Sequence, residues 1–262
     1  MKALILTVFS VFFAQAANAQ STCQNDALRV LSSSDPIGAR IYNRLDADDK
    51  SFFLKAILCK QPTIVEIPQG VFEATRRVAD VEQRYVLPNG VELYTLRMPV
   101  ASLKPSAVAD RFDKNVLQYD LLTDSRNFHY LLSAMNAHAV ELQSALNLTK
   151  KGVLPGSASV GYRDRLAIVM LMVKMYLEAA SEHKTTWDLF KDENSHRRIT
   201  TAKVWVEAAK VMREACKHPN LGLKDLEYLE HLYSTENRNG LQQVLGGSYE
   251  ANMPVECREI NR

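Results

Sequence analysis

The sequence predicts a mainly α-helical protein, a helical bundle with a small β-hairpin in its N-terminal part, clamped by two disulfides. Three observations lead there. Apolar residues recur at helical spacing through most of the chain beyond Pro105. Glycine is sparse, 10 in 262 residues, against a usual share of about 7%. A lone Asn89-Gly90 pair, a hairpin signal, sits between two strand-like runs.

The chain opens Met1-Lys2 and runs apolar from Ala3 to Ala14. A bilayer-spanning helix needs about 20 apolar residues, so this run is too short. Ala17-Asn18-Ala19 supplies small residues at −3 and −1 of a cut before Gln20. Residues 1–19 are therefore expected to be a cleaved signal peptide, and the mature protein to be exported, periplasmic or secreted. Cys23 follows Gln20-Ser21-Thr22 rather than the small-residue box of a lipoprotein. Later, the most apolar run is Leu166 to Val173, flanked by Arg165 and Lys174, which suits a buried helix and not a membrane span.

In the first segment, 20–104, Asp35-Pro36 starts one helix and Asp46 caps another extending through Leu54 to Leu58, with Asp48 and Asp49 in its first turn. Ile64, Val65 and Ile67 read as a short β run. Tyr85-Val86-Leu87 and Val91 to Leu96 flank Pro88-Asn89-Gly90 as a hairpin, while Val71 to Gln83 fits either a helix or a third strand.

In the second segment, 105–262, Phe128, Leu131, Leu132, Met135, Ala139, Leu142 and Leu146 form one helical face after a cap at Asp124 or Ser125. Residues 150–161 read as a loop and 162–183 as a central helix, apolar nearly all round. Further helices are expected from about Thr200 to Cys216 and from about Lys224 into Asn237, followed by an irregular tail. The two segments read as two parts of a bundle or as one domain.

Four cysteines remain after the leader: Cys23, Cys59, Cys216 and Cys257. In an oxidising compartment an even count reads as two disulfides. Of the three connectivities, Cys23–Cys59 with Cys216–Cys257 closes the shorter loops. No close Cys or His pairs exist for zinc, so no metal site and no cofactor is expected. The formal charge is +2, falling to +1 without Lys2, which gives no reason to expect a nucleic-acid partner.

Candidate chemistry is thin. His138 and Glu141, three apart on a helix, are the best available candidates for an acid–base pair, although a border histidine is more often simply bonded to its neighbour. Glu227 and His231, four apart, read as a solvated ion pair. Gly156 and Gly161 have the spacing of a phosphate loop without its Lys-Ser/Thr. Ser157, Ser159, Arg163 and Arg165 would still allow a small anion to bind at a helix start, where the serines would otherwise act as caps. No G-x-S-x-G elbow is present. The carboxylates Asp110 with Asp113, and Asp192 with Glu193, are sequence neighbours, which rarely face each other as glycan cleavage needs. His196-Arg197-Arg198 reads as a solvated basic face. Asn147-Leu148-Thr149 is a glycosylation sequon.

These features point to an exported helical protein that binds a ligand, an unknown protein or an envelope component. A hydrolase of cell-envelope material and a small-anion binder are the alternatives.

Overall fold

The computed structural model of the chain describes residues 22–53, 67–96, 128–153, 161–223 and 225–259. It is mainly helical with one two-stranded antiparallel sheet. The leader, the run Ile64-Val65, the caps at Asp124 and Ser125, and the boundary at 104/105 lie outside the described residues.

Residues 22–34 form α1, Pro36–Arg44 α2 and Ala47–Phe52 α3. Proline opens α2 because its missing N–H would have no partner there in any case. Asp46 caps α3 as expected, accepting from the Asp49 N–H at 2.8 Å. Helix α4, Ile67–Glu82, decides the open alternative over 71–83. Ile67 belongs to this helix and not to a strand, because its β-branched side chain is buried on the core face and Pro68 is tolerated in a first turn.

The hairpin forms where Asn89-Gly90 places it. Strand β1 (Arg84–Val86) pairs with β2 (Glu92–Tyr94), Arg84 opposite Tyr94 and Val86 opposite Glu92. Gly90 has φ +81°, which a side chain would strain, and its N–H reaches the Leu87 carbonyl at 2.7 Å. Arg40 of α2 holds the turn from outside, donating to the Gly90 carbonyl at 2.8 Å.

Two long helices organise the rest, α5 (Phe128–Lys150) and α6 (Tyr162–Ser181). Helix α5 carries more than the single apolar stripe its periodicity suggests. It packs on α4, α6 and α8 (His196–Ala215), so nearly its whole circumference is buried. It also contributes to both apolar cores. Val140 and Leu148 join the smaller one with Leu31, Ile41 and Val71, while Leu132, Met135 and Leu142 join the larger one around α6 and α8.

Short α7 (Lys184–Trp187) follows α6. Helix α8 starts at His196, earlier than Thr200, because Ser195 caps it by accepting from the Arg198 N–H at 3.1 Å. Helix α9 (Asp225–Leu232) stops short of Asn237, whose φ of 53° no helix accepts. Two short helices that the pattern did not show, α10 (Asn239–Leu245) and α11 (Val255–Arg258), complete the chain.

Among the described residues one disulfide is found, Cys216–Cys257, and not the two expected. The other expected pair includes Cys59, which lies outside them. Cys216 and Cys257 are buried and tie the tail to the end of α8. Their separation of 41 residues corresponds to about 4 kcal/mol of loop-closure stabilisation. No helix among the described residues is long and apolar enough to cross a membrane.

Candidate functional site

Buried charge in a helical bundle must find a partner or lose the folding free energy that desolvation costs. Helix α6 carries several buried charges, and most serve neighbouring backbone. Arg163 donates to the carbonyls of Ala215 at 2.6 Å and His218 at 2.8 Å, and to Pro219 at 3.3 Å, closing the C-terminal end of α8. Asp164 accepts from the Leu223 N–H at 2.9 Å. Lys174 sends its ammonium to the carbonyls of His231, Leu232 and Ser234 at 2.9–3.0 Å, closing α9. Glu178 caps the start of α10 through the Gly240 N–H at 2.8 Å and the Asn239 amide at 3.0 Å. Arg163 and Lys174 meet helix C-termini and Glu178 a helix N-terminus, each complementing the dipole there, while Asp164 ties down the segment leading into α9.

One set does not follow this rule. Glu141, on α5 and fully buried, has both oxygens taken by side chains. His138 Nδ1 lies 2.7 Å from Oε2, one helical turn back, and Arg165 Nη1 donates to Oε1 at 2.9 Å from the first turns of α6. Phe72 of α4 stacks on the imidazole with centroids 4.3 Å apart and planes 24° from parallel. The carboxylate must receive an N–H, which assigns the Nδ1–H tautomer to the neutral ring. Nε2 then carries a lone pair, and among the described residues nothing hydrogen-bonds to it. The His138 side chain keeps 6% of its exposure.

An imidazole oriented through one nitrogen and uncommitted at the other can accept a proton, donate one when charged, or ligate a metal. The described residues contain no group of three or more His, Cys, Asp or Glu placed to hold a metal ion. Arg76 stands nearby, its guanidinium 5.9 Å from the Phe72 ring centroid and 4.9 Å from that of Tyr130.

The other sequence candidates fall elsewhere. Ser157 and Ser159 lie outside the described residues, and the two arginines of that loop are those already placed, Arg163 on helix-end carbonyls and Arg165 on Glu141. Asp110 and Asp113 also lie outside. Asp192 accepts from the Asn194 N–H at 2.9 Å, and Glu193 meets Arg198. Glu227 is exposed on α9. The basic run is not a uniform solvated face. Arg198 is half-buried and donates to the carbonyls of Val244 and Lys191, both at 3.2 Å. The sequon asparagine, Asn147, is half-buried inside α5, its amide donating to Asp35 at 3.0 Å and its carbonyl accepting from Gln143 at 2.9 Å.

Sequence reasoning paired His138 with Glu141 but missed Arg165 and Phe72 as their partners. A usable signal was present: an arginine opening a helix that is apolar all round must be satisfied by something on a facing helix.

No protein-family model matches the chain, and neither the curated proteins nor the solved structures yield a match.

Proposed function

We propose that this chain is an exported helical protein that binds a ligand or partner in the cell envelope or outside the cell, and that His138 is its point of contact. The observation that supports this reading is the imidazole held at Nδ1 by a fully buried carboxylate, with nothing among the described residues hydrogen-bonded to Nε2. Unlike the charges of α6 that close helix ends, this group stabilises no backbone.

Native mass spectrometry of the protein isolated from its own host tests the proposal. A chain beginning at Gln20 with an added mass is expected, and His138→Gln should lose that mass while keeping the fold. A bare chain in both forms, or one that retains Met1, overturns it.

A second reading, a hydrolase of cell-envelope material, is favoured by the same Nδ1 contact, because an imidazole so oriented suits general-base activation of water. Turnover of an ester, peptide or glycan substrate that disappears in His138→Ala supports it. An unchanged rate in that variant removes His138 from the chemistry.

A further inference from the structure

Away from His138, a cavity lies between α8 and the disulfide-tied tail. Its volume is about 110 Å³, and Trp205, Leu232, Tyr233, Leu241 and Tyr249 form its walls. An apolar cavity of about 150 Å³ accepts benzene, so this smaller space suits an apolar group of about four heavy atoms. Trp205 is 7% exposed, and its indole with the two phenol rings presents a mostly apolar interior.

The rim is charged and unequal. Lys210 and Arg213 project from α8, and Glu250 projects from the tail. Arg213 and Glu250 form an ion pair. Lys210 pairs with Glu207 on its own helix, Nζ to Oε1 2.6 Å. Among the described residues Glu250 is the carboxylate that lines the cavity, and Arg213 already holds it, while Glu256 acts on the same guanidinium from further along the tail, outside the cavity. A cationic guest would face two cations and a carboxylate already engaged. An anionic guest finds a guanidinium whose present partner is a carboxylate from a flanking segment.

That pair is weak. The side chains of Arg213 and Glu250 are 40% and 47% exposed, and ion pairs this exposed contribute little because water screens them. Exchange for another carboxylate would therefore cost little, provided the guest also fills the apolar space.

We infer that this cavity binds a small carboxylic acid with a compact apolar body, and that Glu250 occupies the carboxylate position in its absence. The guest's carboxylate takes the Arg213 guanidinium, with Lys210 beside it, and its body lies against Trp205, Tyr233 and Tyr249. The site does not involve His138 or Glu141, so it stands whether or not those residues meet a ligand.

Calorimetric titration of the purified protein with isovalerate, isoamylammonium and isoamyl alcohol separates the alternatives, since all three have five carbons and a branched isobutyl end and differ in charge. Saturable binding is expected for isovalerate alone. Arg213→Gln should weaken it about threefold. Glu250→Gln, which removes the competing carboxylate, should tighten it about threefold. Both changes are at the exposed rim, and unchanged thermal unfolding confirms that the fold is kept. Silence with isovalerate, equal or stronger binding of isoamylammonium, retained affinity in Arg213→Gln, or unchanged or weaker affinity in Glu250→Gln each overturns the inference.

Discussion

Helix α6 divides its buried charge between two neighbourhoods. Towards α8, α9 and α10 its side chains meet backbone: Arg163 and Lys174 close two helix C-termini, and Glu178 opens a third helix. Towards α5 a charge meets charge, Arg165 on Glu141, with His138 behind it. The first arrangement is explained by folding alone, because orphan carbonyls and N–H groups at buried helix ends require partners. In the second, three polar side chains bond to one another, and apolar residues of similar size would fill that space with no backbone group left unpaired. Buried polar groups that the backbone does not require are where function is best sought.

The comparison can be broken most severely at Glu141. Glu141→Leu strands the Arg165 guanidinium and frees the imidazole, and should cost about 3–5 kcal/mol in denaturant unfolding. Replacing the set together sharpens the point. His138→Leu, Glu141→Leu and Arg165→Met combined should recover most of that loss, because a buried ion pair and its apolar replacement are often equal in stability, while the contact proposed at His138 is removed. If the triple variant is as unstable as Glu141→Leu alone, the cluster is structural and the contrast fails.

The capping side should behave oppositely. Lys174→Met leaves three carbonyls without their donor, and about 2–4 kcal/mol should be lost with no apolar replacement able to restore it. Lys174 also gives the contrast a pH signature. Burial pushes its pKa down to about 8, from 10.5. Between those values the unfolded chain binds more protons than the folded one, so stability from this group rises as pH goes from about 8 to 10.5. Unfolding free energies measured across that window should have a positive slope that Lys174→Met removes.

A smaller effect is expected at Gly240. A Cβ there would lie 2.2 Å from the Leu177 carbonyl oxygen, so Gly240→Ala must push α10 off α6, at about 1–3 kcal/mol. The smallest belongs to the surface. Lys150 and Lys217 hold Glu214 down to about 2, but all three side chains are exposed by a third or more. Glu214→Gln should cost under about 1 kcal/mol. What those two ion pairs do contribute is present above pH 4.5 and lost as pH falls towards 2.

Much of the fold was legible because local rules are strong where they apply. Asn89-Gly90 admits few alternatives to a tight turn, Asp46 caps the helix that follows it, and the apolar run of α6 has no stable place outside a core. Tertiary burial overrode the pattern elsewhere. Ile67 has a β-branched side chain but lies in α4, where the core face accepts it. Helix α10 offers no stripe long enough to see, and it exists because Glu178 caps its start and Gly240 lets it lie close on α6. At the candidate site, spacing joined His138 to Glu141, since residues three apart are always neighbours on a helix. Arg165 is 24 residues further on, and Phe72 is on a different helix altogether. Contacts of that range are set by packing, which periodicity does not encode.

The half-buried amide of Asn147 has a consequence for any enzyme that would attach sugar to it. An oligosaccharyltransferase must take that nitrogen in an extended acceptor loop, whereas here it is bound to Asp35 in mid-helix, with the Thr149 hydroxyl turned to the Ala145 carbonyl. Once α5 has formed, the tripeptide is no longer an acceptor, so a glycan at this position would have to be added while the chain is still unfolded, and its bulk would then keep α2 from docking.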